Sequence, residues 1–300
     1  MNTLPSFTVP TIPDAPRSIA KGSSLADLLN ENAIYYLARN IELVHTDFNS
    51  TEFIKACLQA PNELALMAKG QFIAKQLHQF LPKHYATSIE ILSRTLIDCD
   101  ETSEEFGLAG FFYLPHSFYI ANYGRDAKYN DGVDPFDISM QAQYTLTQRF
   151  SAEFCIRPYL MEQQARTLET LQDWQFDTNR HIRRLVSEGT RPKLPWGKRL
   201  PAIIKDPSPI IPLLTHLKDD SSLYVRRSVA NSLGDIAKDH PDLVFDLLES
   251  WVNAANDDVK WLIRHAVRYY AKKQHHRALA LRAIAKYISM CFSQKHIFLR

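Results

Sequence analysis

One stretch of this 300-residue chain brings an arginine, an amide and a carboxylate into register. Within YVRRSVANSLGDIAKDHPD (224–242), Arg227, Asn231 and Asp235 recur every four residues. On a helix this spacing puts them on one polar face. Val225, Val229, Leu233 and Ile236 recur on another face, at the spacing of a buried stripe. A guanidinium holds a phosphate, and a carboxylate beside it stabilises positive charge that develops as a bond breaks. Such a surface suits a phosphate chain that carries an electrophilic centre. Glu153 is a second candidate, because it lies among apolar and aromatic residues in QRFSAEFCIRPYL. A carboxylate there must be exposed, paired or functional. Simple ion pairs are the competing explanation throughout: Glu153 with Arg149 or Arg157, Glu188 with Arg184, Asp235 with Arg227 or Lys238.

The composition narrows the classes. The chain is 45% hydrophobic and 23% charged, as in an ordinary globular protein, and is long enough to bury a sizeable core. Only nine glycines are present, with no G-x-G-x-x-G and no G-x-x-x-x-G-K-[ST], which argues against a nucleotide-hydrolysing engine. The cysteines 57, 99, 155 and 291 are far apart and form no C-x-x-C pair, so no zinc or redox centre and no cofactor is expected. They fit buried apolar positions in a cytoplasmic protein. No apolar run reaches membrane-spanning length, so no membrane partner is expected. The proline-containing segment 1–24 lacks a hydrophobic core region and reads as a flexible tail rather than a signal peptide.

Net charge is +2, but its distribution is uneven. Residues 180–300 carry a balance of +11 and residues 1–179 a balance of −9. A basic second part suggests a polyanion contact there.

The elements that must position these residues read as helices. Leu25–Glu42, Ser50–Leu58, Glu63–Phe80 and Tyr85–Leu96 carry helical apolar spacing. Residues 123–135 read as a loop without calcium-site spacing, and Asp137–Leu160 as a further helix. The blocks HIRRLVSE (181–188), YVRRSVAN (224–231) and DVKWLIRH (258–265) then repeat one pattern, each after a polar turn. Helix pairs recurring at this period indicate HEAT-type repeats. The expected fold is therefore all-α, a right-handed α-solenoid with a concave basic face. It divides into the tail 1–24, a helical part 25–145 and repeats 146–300. Arg183, Arg184, Arg226, Arg227, Lys260, Arg264 and Arg268 would gather on or near one face, a stripe suited to duplex DNA.

With these blocks in view, the stretch 146–273 resembles the AlkC-type DNA alkylation repair glycosylases. The matching segments are LTQRFSAEFCIRPYL (146–160), HIRRLVSEGTRPKLPW (181–196), YVRRSVANSLGDIAKDHPD (224–242) and VKWLIRHAVR (259–268). The resemblance implies a HEAT-like fold that cradles double-stranded DNA. It implies hydrolysis of the N-glycosidic bond of cationic alkylated bases such as 3-methyladenine, with the lesion approached while stacked. It places the site carboxylates on Glu153, Glu188 and Asp235 and the site tryptophan on Trp196. DNA-facing arginines fall on Arg184, Arg191, Arg227 and Arg264. It departs from the family at Ser232 and at Gly234, a helical glycine expected to loosen Asp235. Some members carry a C-terminal immunoglobulin-like domain, for which the helical, basic sequence up to Arg300 leaves no room.

The chemistry fits these residue types. An N-alkylated purine is already a good leaving group, and positive charge develops on the sugar as it departs. A carboxylate facing that charge favours the transition state over the ground state, and a second can orient the attacking water. An indole face attracts a cationic lesion. The expected protein is a monofunctional glycosylase, monomeric and nucleoid-associated. The alternative is a non-catalytic HEAT-repeat module that binds damaged or distorted DNA, and a protein-interaction scaffold is a third reading.

Overall fold

The computed structural model describes residues 5–61, 63–98 and 103–295. Among the described residues all regular structure is helical, with sixteen α-helices joined by turns and short 3-10 segments. The chain divides into two compact units, Met1–Tyr159 and Leu160–Arg300.

The first unit contains α1 (Glu31–Val44), α2 (Ser50–Leu58), α3 (Leu66–Phe80), α4 (Tyr85–Arg94), α5 (Leu114–Tyr123) and α6 (Phe136–Thr147), and its last residues begin α7 (Ile156–Glu162). Its core includes Leu37, Ile41, Phe53, Ile73 and Leu77, all at most 2% exposed. The helix expected from Leu25 is broken at Asn30, whose side chain caps α1 by accepting from Ala33 N. Part of the expected tail is held in place. The buried Asn40 amide needs partners, and it donates to Thr11 O at 2.8 Å and accepts from Thr11 N at 2.9 Å.

The single helix expected over Asp137–Leu160 is two helices with a turn between them. Hydroxyl groups compete with the helical ladder there: Thr147 Oγ1 accepts from Ala152 N, and Ser151 Oγ donates to Glu153 Oε2 at 2.7 Å. This turn packs with the first unit, through Arg149 Nε on Ile97 O at 2.8 Å and Phe150 against Phe111 at 5.4 Å. The division therefore falls at Tyr159, after the sequence boundary of 145/146.

The second unit contains α8 (Gln164–Trp174), α9 (Arg180–Gly189), α10 (Pro201–Lys205), α11 (Ile211–His216), α12 (Leu223–Ile236), α13 (Pro241–Val252), α14 (Asp257–Ala266), α15 (Arg268–Lys272) and α16 (His276–Lys295). The repeat blocks form α9, α12 and α14, which lie side by side in chain order with α12 in the middle. Leu185, Val225, Val229, Leu233, Leu262 and Ile263 are fully buried between the layers. This stacking is the HEAT-like arrangement.

A polar ladder sets the spacing of the repeats. Arg183 Nη1 donates to Asp177 O and Thr178 O, each at 2.8 Å, and its Nε reaches Asp220 of the next repeat at 2.6 Å. Arg226 does the same one repeat on, donating to Ser221 O at 3.0 Å and to Asp258 at 2.7 Å. Lys260 Nζ lies 3.5 Å from Asp257. The first basic residue of the first two blocks is thus spent between repeats, and that of the third pairs within its own helix, which corrects the expectation that these residues gather on a DNA-facing stripe.

Candidate active site

Glu188 sits in the last turn of α9 and Arg191 just after it. Ser228 and Asp235 lie two turns apart on α12, the next helix in the stack. Side-by-side packing of α9 and α12 brings these four together across more than forty residues of sequence.

The core of the site is a carboxylate–guanidinium–carboxylate bridge. Arg191 Nη1 donates to Glu188 Oε1 at 2.6 Å, and its Nε donates to Asp235 Oδ2 at 2.9 Å. Glu188 and Asp235 are each 5% exposed and Arg191 is 8% exposed. Arg184 Nη2 approaches Glu188 Oε1 at 3.4 Å, and Ser228 Oγ donates to Glu188 Oε2 at 2.6 Å. Lys238 Nζ donates to Asp235 Oδ1 at 2.9 Å. Burial by itself would raise the Glu188 carboxyl. Arg184, Arg191 and the Ser228 hydroxyl outweigh that, so it is held below the ordinary glutamate value. Burial likewise opposes the Arg191 charge, and its two carboxylate partners raise it. Among buried ionic groups, only such fully bonded sets are tolerated at modest cost.

Trp196 occupies the turn after α9. Buried Leu194 and Leu200 anchor the turn on either side, while Trp196 is 64% exposed with φ of +61°. A bulky residue in the left-handed region costs on the order of 1 kcal/mol or more. An exposed indole held out at that cost is a surface feature, not a plug between repeats.

The remaining candidates are placed differently. Glu153 belongs to the first unit and lies in the turn before α7, not on a helix; Ser151 bonds it. The Arg184 guanidinium lies over the Tyr224 ring at 5.0 Å. Arg191, read as DNA-facing, is an internal bridge in this structure. Arg264 Nη1 donates to Ala285 O at 2.9 Å. Arg227 is exposed on α12. Gly234 does not loosen Asp235. A Cβ there would stand 3.3 Å from Ala266 O, so glycine allows α12 to approach α14 closely, and Asp235 is fixed by Arg191 and Lys238.

Sequence reasoning missed Ser187, Ser228 and His265, and with His265 the joining of Asn231 to Arg268. Asn231 Oδ1 accepts from Arg268 Nη2 at 2.9 Å and lies 3.2 Å from His265 Nε2. His265 stacks on Trp261 with ring centroids 5.0 Å apart. Burial first, then Arg268 and Arg227, push His265 down to about 4. One signal was available: Ser228 shares the α12 face with Asp235 at i, i+7. No group of three His, Cys, Asp or Glu among the described residues could hold a metal ion. No helix among them is long and apolar enough to cross a membrane.

Stacked helix pairs with one carboxylate-bearing face place the second unit among HEAT-like repeat proteins. No family model matches the chain. It is 36% identical over 261 residues to the uncharacterized protein YhaZ of Bacillus subtilis, covering 86% of this chain and 68% of that one. It is also similar in structure to the Pseudomonas fluorescens alkylpurine DNA glycosylase AlkC bound to DNA containing an abasic site analogue. That likeness has a TM-score of 0.77 and 37% identity, and covers 86% of this chain and 67% of the other. The chain belongs to the AlkC family.

Proposed function

We propose that the protein is an alkylpurine DNA glycosylase that acts in DNA repair. Membership of the AlkC family supports this reading, and the Glu188–Arg191–Asp235 bridge is the observation that carries it. The protein binds DNA and hydrolyses the N-glycosidic bond of alkylated purines. The preferred substrates are cationic adducts such as 3-methyladenine in duplex DNA, approached while still stacked.

The residues supply the chemistry as follows. The departing purine already carries positive charge, so expulsion needs little acid catalysis. The sugar then becomes cationic, and an ionised carboxylate facing it stabilises the transition state. Asp235 has one oxygen held by Arg191 and the other on Lys238, whose side chain is 41% exposed, so it is the carboxylate joined directly to a cation that reaches the surface. Glu188 fixes Arg191 and through it Asp235. Glu153 is the candidate for orienting the attacking water. Trp196 offers an exposed π face to the sugar or the cationic base. Placing carboxylates beside DNA costs electrostatic energy. Arg184, Arg191 and Lys238 offset it, and the remainder favours a cationic lesion over a neutral base. Arg227 contacts phosphate, with Arg184 and Arg264 as further candidates. The enzyme works as a monomer in the cytoplasm, where the buried free thiols Cys57 and Cys155 are stable.

A Gly234 that loosened Asp235 would favour the damage sensor without catalysis, and the fit of this glycine against Ala266 O removes that ground. The test is single-turnover base release from methylated duplex DNA by wild type, Asp235→Asn and Glu153→Gln. Wild type frees 3-methyladenine. Asp235→Asn loses roughly two to three orders of magnitude in rate, the scale of one electrostatic stabiliser, and retains DNA binding. Binding without base release by wild type would defeat the enzymatic reading.

A further inference from the structure

We infer that Ser228, backed by Ser187, is a positioning residue for the Glu188 carboxylate. The inference rests on the reading of Glu188 and Asp235 as site carboxylates and adds the element that orients them. Ser228 is 2% exposed and Ser187 fully buried, so neither hydroxyl has water to turn to. Ser228 Oγ donates its proton to Glu188 Oε2 at 2.6 Å. Ser187 Oγ lies 2.7 Å from Ser228 Oγ and can donate to it. With Oε2 occupied from α12, Oε1 is left to Arg184 and Arg191. Arg191 then extends to Asp235. One chain of contacts therefore runs from Ser187 through Ser228, Glu188 and Arg191 to Asp235, crossing between α9 and α12 three times.

The hydroxyl does what the arginines cannot. Arg184 and Arg191 both reach Oε1, and both come from α9 or the turn after it. They leave rotation of the carboxylate about its own axis undetermined. The single donor from α12 fixes that rotation and ties it to the helix that carries Asp235. The charged groups facing Glu188 are Arg184 and Arg191 from its own side, and from α12 Asp235 through Arg191. Without Ser228, Oε2 is a buried acceptor lacking its donor.

The test measures single-turnover base release against pH for wild type, Ser228→Ala, Ser228→Thr and Glu188→Gln, with thermal melting and DNA binding alongside. Ser228→Ala is expected to slow release by about tenfold to a hundredfold, the range of a hydrogen bond to a charged group, while DNA binding persists. Its acid limb moves to higher pH, because removing a donor to the ionised form raises the carboxyl. Ser228→Thr keeps the hydroxyl and restores both rate and limb. Should the added methyl group unfold that variant, Ser187→Ala serves instead and moves the limb the same way by a smaller amount. Wild-type rate and limb in Ser228→Ala overturn the inference. So does slow release with a lowered melting temperature and an unmoved limb, which marks a structural role only. Glu188→Gln separates the two levels. If it releases base at the wild-type rate, the reading of the site falls and the inference with it. If it is slow while Ser228→Ala is wild type, the inference alone falls.

Discussion

Arg191 meets Asp235 side-on, with Nε and Nη2 at 2.9 and 2.8 Å from the same oxygen, Oδ2. Its remaining nitrogen, Nη1, holds Glu188. One guanidinium thus determines the separation of two buried carboxylates on neighbouring helices. Arg191→Ala leaves both without their shared cation, and stability is expected to fall by about 3–5 kcal/mol in urea denaturation. Arg191→Lys keeps the charge but not the fork. It should recover part of the stability and little of the base release. Equal base release from the lysine variant would show that charge alone suffices.

Trp196 is expected to separate stability from activity. Its φ of +61° suits glycine, and its side chain is mostly exposed. Trp196→Gly relieves the backbone strain, so melting temperature holds or rises, the gain being on the order of 1 kcal/mol. Base release falls in the same variant because the exposed π face is gone. A lowered melting temperature would mean that the indole supports the turn.

The pH dependence of stability carries two signatures. The Glu188 carboxyl is held below its ordinary value in the folded state. Its contribution is therefore complete above the ordinary glutamate range and is lost as pH falls through the lowered folded value. His265 is held down to about 4 from 6.5. The unfolded chain takes up that proton first, so stability declines as pH drops from about 6.5 towards 4 and this component levels off below. Denaturation curves across this range for wild type, Glu188→Gln and His265→Gln test both. Each substitution should flatten its own component and leave the other.

Arginines spent inside the protein should behave differently from those facing solvent. Arg227 and Arg268 are both exposed. Arg268 is anchored on Asn231 and on His265 O. Replacing either by alanine should reduce the slope of log affinity against log salt by about 1 for duplex DNA. Arg183 and Arg226 hold the ladder between repeats. Their alanine variants should lower stability and leave the salt slope unchanged. A slope change in Arg183→Ala would return that residue to the DNA-facing set.

Much of this protein was legible in the order of its residues. Local apolar spacing is enough to specify a helix, so Ser50–Leu58 emerges with the bounds expected. The repeat of a basic-apolar block at 181, 224 and 258 announces stacked helices, because each copy has a face it cannot bury alone. Long matching blocks also pointed to the family. Breaks made by side chains are less visible. Asn30, Ser151 and Thr147 each bond a nearby backbone or side-chain group and end helices that the apolar pattern would continue.

Only the tertiary structure decided which charges are free and which are spent. Arg183 and Arg184 are adjacent in sequence and equally basic. A helical turn of about 100° per residue sends one into the inter-repeat ladder and the other over Tyr224 beside Glu188. Arg191 reads as a surface cation and becomes a buried bridge, since its partner Asp235 arrives on a helix that begins 32 residues later. Ser228 shares a helix face with Asp235 in the sequence, but it has no carboxylate partner until α9 and α12 pack together and give it Glu188. Periodicity states which face of a helix is polar. What that face meets depends on which helix packs beside it, a relation between distant segments that local spacing does not contain.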